Sequence, residues 1–165
     1  MRKVLIIGGG AAGMPAAVFA AENGCEVHVF EKNEKLGKKL FIAGKGRCNF
    51  TNAADLEDFF SAVVSNPKFL YSALYSFTNQ QVMEMFEDLG VRTKVERGGR
   101  VFPASDHSSD IIRALERRME SLGVHIHLNT EVEEVLQKEG KFFALRLKNG
   151  CLLYTSSSPG SGHRC

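Results

Sequence analysis

The sequence predicts an α/β fold built on a parallel β-sheet, and three observations carry this prediction. Residues 4–7 form a short, unbroken apolar run of the kind that suits a parallel strand covered on both faces. A glycine-rich turn follows at residues 8–13. A second apolar segment, residues 27–30, then leads directly to the acidic Glu31. The chain therefore opens with a strand, a glycine turn, a helix and a second strand.

The glycine turn has the spacing G-x-G-x-x-G. Gly8 allows the tight turn, Gly10 lets the backbone approach a pyrophosphate, and Gly13 lets the following helix pack closely on the strand. That helix directs backbone N–H groups and the positive end of its dipole toward the phosphates. The candidate cofactor-binding residues of this turn are Gly8, Gly10, Ala11, Ala12 and Gly13.

Glu31 stands where a dinucleotide-binding unit places the acid that binds a ribose. It follows Gly13 by 31 − 13 = 18 residues, close to the roughly 20 expected for that acid. A carboxylate here accepts a hydrogen bond from a free ribose hydroxyl, as in NAD or the ADP half of FAD, whereas NADP favours an arginine. We therefore expect Glu31 to bind the ribose of NAD or FAD.

The composition is that of an ordinary soluble globular protein, with 44% hydrophobic and 24% charged residues. A net charge of +2 is too small to argue for a nucleic-acid partner. The sequence has no apolar run of about 18 or more residues for a membrane span. The four cysteines show neither a C-x-x-C pair nor a zinc pattern, which fits a reducing cytosol. We expect a cytoplasmic protein with a small-molecule substrate and no nucleic-acid or membrane partner.

A basic, glycine-containing segment follows Glu31. Five lysines and arginines occur between residues 35 and 47 without an acid, and short polar side chains follow at residues 49–52. The segment is either a loop over the phosphates and ribityl chain of a cofactor or a solvated basic loop. The cofactor interpretation gives the candidate binding residues Lys32, Lys38, Arg47, Cys48 and Asn49.

Two motifs after Glu31 make a resemblance specific: Gly-Lys-Gly-Arg-Cys-Asn-Phe-Thr-Asn at residues 44–52 and Gly-Arg-Val-Phe-Pro-Ala-Ser at residues 99–105. With the glycine unit, they resemble the N-terminal part of the aminoacetone-oxidase or BaiN-like family of FAD-binding oxidoreductases, over residues 3–150. The resemblance implies a Rossmann-like FAD-binding domain of the glutathione-reductase type, with FAD in the first site. It also implies that the backbone near Val132 contacts the adenine.

A helical insertion is predicted between the second and third strands. Apolar stripes indicate helices near residues 56–64, 67–77 and 79–89. The last begins at a capping box headed by Thr78. The aromatic and methionine side chains of these helices are expected to be core, with a substrate lining as the alternative.

The third strand is predicted at residues 124–128, after a helix that Gly123 ends. His125 and His127 alternate with apolar residues, so they share one face of that strand. A zinc site needs a third ligand, and the sequence does not indicate one. We therefore expect no metal site, and a partly open strand face instead.

Two β-hairpins complete the pattern. Residues 91–102 predict a hairpin with a two-residue turn at residues 98–99, and residues 132–148 predict a second hairpin. The regular pattern ends near residue 150. Residues 1–150 are thus predicted to be the N-terminal part of an FAD/NAD(P)-binding domain, and residues 151–165 a non-native or disordered tail.

The resemblance implies an FAD-dependent oxidoreductase that transfers hydride between a small-molecule substrate or NAD(P)H and FAD, with the flavin supplying the chemistry. The sequence assigns no catalytic acid or base. Cys48 lacks the second nearby cysteine of a flavin disulfide reductase, so packing beside the cofactor is its expected role. Because family members are much longer, this piece alone is expected to be inactive. The alternatives are an FAD-containing RNA-modifying protein and a catalytically incomplete nucleotide-binding fragment.

Overall fold

The structure is a computed structural model and describes residues 2–154. The chain divides into two compact units: Met1–Lys39 with Leu115–Cys165, and Leu40–Ala114. In chain order the helices and strands are β1 (Lys3–Ile7), α1 (Gly13–Glu22), β2 (Glu26–Phe30), α2 (Lys38–Ile42), β3 (Thr51–Asn52), α3 (Leu56–Ser61), α4 (Tyr71–Ser76), α5 (Asn79–Asp88), β4 (Thr93–Glu96), β5 (Arg100–Pro103), α6 (Ser108–Ser121), β6 (His125–His127), β7 (Val132–Lys138), β8 (Lys141–Leu147) and β9 (Leu152–Tyr154). No helix among the described residues is both long and apolar enough to cross a membrane.

The first unit is built on a parallel sheet in the order β1-β2-β6. Strand β2 lies in the middle, and α1 packs on β1 and β2. Side chains of β2 alternate between the two faces of the sheet, and Val27 and Val29 are buried on one of them. Helix α1 contributes its own buried residues, Met14, Ala17 and Val18. The strand, turn, helix and strand predicted for the opening of the chain are confirmed.

An antiparallel sheet in the order β7-β8-β9 belongs to the same unit. Its first two strands confirm the predicted second hairpin. Strand β9 pairs with β8 within the stretch expected to be a non-native or disordered tail, so the structure departs from disorder at Leu152–Tyr154. Residues 155–165 lie outside the described residues, and the non-native origin of the tail stays a prediction.

The second unit contains helices that are shorter than their apolar stripes predict. Helix α3 ends at Ser61, and Val64, placed on the stripe by the sequence, is fully exposed. The residue before a proline is disfavoured in a helix, and Asn66 before Pro67 takes a left-handed φ of 48°. The apolar repeat therefore continues past the point where the backbone leaves the helix. The chain resumes with a 3-10 turn, Pro67–Leu70, before α4.

Helix α5 begins as predicted. The hydroxyl of Thr78 accepts a hydrogen bond from the backbone N–H of Gln81 at 3.1 Å, and the Gln81 side-chain oxygen accepts one from the Thr78 N–H at 2.8 Å. These reciprocal bonds satisfy two N–H groups that lack partners within the helix. The capping box is confirmed.

The first hairpin, β4 with β5, has a three-residue loop rather than the predicted two-residue turn. Glu96 pairs with Arg100, which leaves residues 97–99 to make the connection. The short strand β3 pairs with β5 at the same place, and the Asn52 amide donates to the Gly98 carbonyl at 2.8 Å. A non-local contact thus accompanies the wider loop, and local spacing gave no sign of it.

Candidate functional site

The glycine turn lies between β1 and α1 and has the shape that its spacing predicts. Gly8 has a φ of 95°, in the region that favours glycine, and its N–H donates to the Phe30 carbonyl at 2.8 Å. A Cβ on Gly13 would lie 1.8 Å from the Gly8 carbonyl oxygen. A Cβ on Gly10 would meet no atom of residues 2–154 within 4 Å. Gly8 and Gly13 are therefore required by the fold itself, whereas Gly10 borders open space that a ligand can use.

Glu31 directly follows β2, and its carboxylate turns toward the glycine turn. The side chain is buried, with 8% of its surface exposed. One oxygen accepts from the Gly9 N–H at 2.8 Å. The other accepts from the backbone N–H of Asn33 at 2.9 Å and from its side-chain amide at 2.6 Å.

These contacts decide the charge of Glu31. Burial by itself raises the pKa of this carboxyl, because it penalises the charged form. Hydrogen bonds from Asn33 and Gly9 act in the opposite direction, and together they hold the pKa of Glu31 below its ordinary value of 4.5. The site therefore presents a fixed carboxylate at neutral pH, the form that accepts a hydrogen bond from a hydroxyl.

The start of the basic segment is pinned to the glycine turn. The Gly37 N–H donates to the Gly9 carbonyl at 2.8 Å. Leu36 is buried, and a Cβ on Gly9 would lie 2.1 Å from its Cδ2 atom. Lys38 is exposed, with its ammonium 3.3 Å from the Glu34 carboxylate. The beginning of the basic segment is therefore ordered against the glycine turn, and the ammonium group of Lys38 lies exposed beside it.

An open cleft of about 640 Å³ lies beside these groups, within the usual range for small-molecule sites of roughly 300–1,000 Å³. It is lined by Ile7, Gly8, Gly9, Gly10, Phe30, Glu31, Lys32, Asn33, Lys38, Lys39, Thr130, Glu131 and Val132. A second cavity of about 400 Å³ shares Lys32, Thr130 and Glu131 with this cleft. The carboxylate, the glycine backbone and three lysines therefore face one space at the ends of β1 and β2, where parallel sheets bind their ligands.

The structure places the predicted residues in three groups. Six of them line the cleft: Gly8, Gly10, Glu31, Lys32, Lys38 and Val132. Ala11, Ala12 and Gly13 follow in the chain, with Ala11 and Ala12 exposed just before α1 and Gly13 as its first residue. The remaining three, Arg47, Cys48 and Asn49, belong to the second unit.

Arg47 pairs with two acids of its own unit. Its Nε donates to Asp106 at 2.8 Å, another of its nitrogens pairs with Glu96, and the guanidinium stacks 4.3 Å above the Phe102 ring. Lys94 also contacts Asp106, at 2.6 Å. Hydrogen bonds to Glu96 and Asp106 raise the pKa of Arg47. The structure thus gives Arg47 an ion-pair role that its motif did not reveal, and a cofactor contact for Arg47 stays a prediction.

Cys48 and Asn49 are held by their own unit. Cys48 is 1% exposed, and burial raises the pKa of its thiol. Such a thiol is a poor nucleophile, which agrees with the packing role expected for it. The Asn49 amide faces two carbonyls, and assigning its nitrogen to that side lets it donate to Val101 at 3.1 Å and to Thr51 at 2.9 Å.

Sequence reasoning missed several members of the cleft: Gly9, Asn33, Lys39, Thr130 and Glu131. Asn33 lay within reach, because an amide two residues after a buried acid commonly caps it through a local turn. Thr130 had no such signal. Its N–H donates to the Glu31 carbonyl at 2.9 Å, a contact made only when β6 joins the sheet beside β2.

The sequence indicated no third ligand beside the histidines of β6, whereas the structure brings together one group that could hold a metal ion; the absence of a metal site stays a prediction. Glu26 and His28 of β2 lie beside His125 of β6, and one ligand atom from each falls within 4.8 Å of the others. The sequence concealed this set because its members lie about a hundred residues apart and meet only through strand pairing.

The parallel sheet, the G-x-G-x-x-G turn and the acid after β2 define a dinucleotide-binding domain of the Rossmann type. The chain belongs to the family described as HI0933-like protein Rossmann domain, which matches residues 2–157. This confirms the predicted fold class and the family resemblance.

Two curated relatives agree with this membership. A 3-dehydro-bile acid delta(4,6)-reductase of Clostridium scindens is 36% identical over 148 residues, covering 88% of this chain and 35% of the relative. A ribosomal RNA dihydrouridine synthase of Haemophilus influenzae is 32% identical over 131 residues, covering 79% of this chain and 32% of the relative. The chain spans about a third of the length of these curated relatives.

Among solved structures, a 3-ketosteroid-delta4-(5alpha)-dehydrogenase from Rhodococcus jostii superposes with a TM-score of 0.68 at 16% identity. The superposition covers 92% of this chain and 43% of that one. At this identity the likeness shows the fold alone.

Proposed function

We propose that the cleft of the first unit binds the ADP part of FAD, and that the protein is an FAD-dependent oxidoreductase. The observation that carries the proposal is the buried Glu31 carboxylate, held in its charged form by Gly9 and Asn33 beside the glycine turn. A buried hydrogen-bond acceptor that is fixed directly beside an anion-binding turn suits a ribose joined to a diphosphate.

Each wall of the cleft has a part in this proposal. The backbone of residues 8–13 and the start of α1 receive the diphosphate, because glycine leaves room and the helix dipole favours an anion. Lys32, Lys38 and Lys39 add positive charge along the rim. Val132, at the far side, offers its backbone to the adenine. Glu31 excludes a 2′-phosphate by charge, which favours FAD over NADP here.

The reaction proposed for the protein is hydride transfer, with a small molecule or NAD(P)H as donor, in the cytoplasm. Bound flavin supplies this chemistry by accepting a hydride and passing electrons on. The described residues supply binding and orientation. We assign no catalytic acid or base to them, and we propose that this chain alone binds the nucleotide without turning over substrate.

Equilibrium titration of the full chain with FAD, ADP and 2′,5′-ADP tests the proposal. We expect saturable binding of FAD and ADP, and weaker binding of 2′,5′-ADP because its extra phosphate meets Glu31. Glu31→Gln is expected to weaken ADP binding by about tenfold or more, since a charged hydrogen bond contributes about 1.5–3 kcal/mol. Glu34→Gln is the matched control, because Glu34 is an exposed carboxylate of the same segment.

The result that would overturn the proposal is a folded chain, verified by circular dichroism, that binds neither FAD nor ADP. Equal losses in Glu31→Gln and Glu34→Gln would also contradict the assignment of the ribose to Glu31.

A second candidate is an FAD-containing RNA-modifying protein. Two relatives, from Haemophilus influenzae and Escherichia coli, are ribosomal RNA dihydrouridine synthases, each 32% identical to this chain. The lysines on the rim of the cleft give a phosphate backbone something to contact. This candidate predicts RNA binding that weakens steeply with salt and is lost when Lys38 and Lys39 are replaced by glutamine. Salt-independent or absent RNA binding favours a small-molecule substrate.

A further inference from the structure

Four side chains that the proposed flavin site does not use form a cluster on one face of the parallel sheet: Glu26 and His28 on β2, His125 and His127 on β6. We refer to them as the imidazole cluster. Residues two apart on a strand point to the same face, and neighbouring strands lie about 4.8 Å apart. Because β2 and β6 pair in register with His28 opposite His125, the four side chains converge.

The rings of the imidazole cluster are stacked. The His28 ring lies 4.5 Å from the His125 ring and 5.3 Å from the His127 ring, measured between centroids. His127 stacks in turn on Phe30 at 4.7 Å. His125 packs over one face of His28 and His127 lies at its edge in nearly the same plane, so the two nitrogens of His28 point in defined directions.

Two short contacts show where the nitrogens of His28 point. His28 Nε2 lies 3.0 Å from the Glu26 carboxylate, and His28 Nδ1 lies 3.0 Å from His127 Nε2. An imidazole that binds a metal through one nitrogen usually donates the N–H of the other to a neighbouring acceptor, which fixes the tautomer. Here His127 faces Nδ1 of His28, the nitrogen that would donate its N–H. Glu26 and His125 lie on the side of Nε2, the nitrogen that would bind the metal.

We propose that Glu26, His28 and His125 bind a divalent transition-metal ion of the Zn²⁺ class, with His127 as the positioning residue behind His28. Imidazole and carboxylate together are ligands that Zn²⁺ accepts, and three protein ligands leave a fourth position for water. Donors about 2.1 Å from a tetrahedral ion lie roughly 3.4 Å apart. The donors here lie within 4.8 Å of one another, so small side-chain rotations complete the site.

One cation competes for this site. The Lys3 ammonium, on β1, lies 3.2 Å from the same Glu26 oxygen that contacts His28. Removing the Lys3 charge is therefore expected to strengthen metal binding, an effect opposite to that of losing a ligand.

Titration of the full chain with Zn²⁺ alone, followed by calorimetry, tests the proposal, with Co²⁺ absorption as an independent report of coordination geometry. His163 and Cys165 also carry ligand atoms, so every variant is compared in a His163→Ala, Cys165→Ser background as well. We expect one saturable equivalent that persists in that background and tetrahedral Co²⁺ bands. Binding that disappears with the tail variant would overturn the proposal.

Variants separate ligands from neighbours. His125→Ala removes a ligand and is expected to weaken Zn²⁺ binding by more than tenfold, whereas the control His107→Ala leaves it unchanged. His127→Ala is expected to weaken binding by about 10-fold to 100-fold through loss of the orienting hydrogen bond. Lys3→Met is expected to strengthen binding by about twofold to fivefold, the size of an exposed ion pair.

The Lys3 variant keeps the proposal testable if His125→Ala fails to fold, because it retains every ligand. Weaker or unchanged Zn²⁺ binding in folded Lys3→Met would contradict the site. Neither the Zn²⁺ calorimetry nor the Co²⁺ absorption uses FAD, so the outcome of this test is independent of the proposed flavin function.

Discussion

Glu31 and Arg47 are both charged residues that the sequence singled out for the cofactor, and the structure treats them differently. Glu31 is buried and held by N–H groups from Gly9 and Asn33, which belong to the same strand–turn–strand unit. Arg47 is partly exposed and held by the carboxylates of Glu96 and Asp106, 49 and 59 residues further along the chain.

This difference indicates when a sequence motif predicts the surroundings of its charged residue. A charge satisfied by backbone donors of its own motif keeps the motif's geometry wherever the motif folds. A charge satisfied by distant side chains depends on how the rest of its unit folds, and its motif carries no information about those partners. Four substitutions sharpen this contrast, beginning with the glycine turn that supports Glu31.

Gly13→Ala is expected to give the largest effect. The new Cβ would lie 1.8 Å from the Gly8 carbonyl oxygen, a backbone atom, so the turn and α1 must separate. We expect the free energy of unfolding to fall by about 3 kcal/mol, as for severe overpacking. Chemical denaturation measures this loss.

Gly10→Ala is the matched control, because its Cβ meets no atom within 4 Å in the part of the chain that the structure describes. We expect a stability change within about 0.5 kcal/mol together with weaker ADP binding, since the methyl group enters space assigned to the diphosphate. Equal destabilisation by the two substitutions would contradict the separate roles given to these glycines.

Glu31→Gln is expected to cost about 1.5–3 kcal/mol of stability at pH 7, from weakened hydrogen bonds to a charged acceptor. The folded pKa of Glu31 lies below its ordinary value of 4.5, so its charge stabilises the fold above that pH. The contribution is lost as the pH falls through the lower, folded pKa. The stability difference between Glu31→Gln and the parent chain should therefore shrink in acid, and a difference independent of pH would contradict the assignment.

Arg47→Met is expected to lower the free energy of unfolding by only about 0.2–1 kcal/mol, because its ion pairs are partly exposed and solvent screens them. The loss should diminish in 1 M salt, where the screening length is about 3 Å, whereas the Glu31→Gln loss should persist. The ADP affinity of Arg47→Met tests whether Arg47 also contacts the cofactor. An unchanged affinity favours the ion-pair role alone, and a clear loss supports the cofactor contact predicted from the sequence.

Much of the first unit was predictable because its signals are local. The glycine spacing, the apolar runs and the distance from Gly13 to Glu31 describe one continuous unit in which each residue's neighbours are also its sequence neighbours. The capping box at Thr78 succeeded for the same reason. The prediction of a two-residue hairpin turn was wrong, because Asn52 of strand β3, 46 residues away from Gly98, contacts the loop at residues 97–99.

The sequence by itself determined the β1-α1-β2 unit, its glycine turn and the acid at its end, because backbone sterics and short-range hydrogen bonds select that geometry. Only the tertiary structure decided that Thr130 donates to the Glu31 carbonyl, that Arg47 joins two distant acids, and that Glu26 and His28 meet His125. Those outcomes depend on which strands pair and in what register, and no local spacing encodes the register between segments about a hundred residues apart.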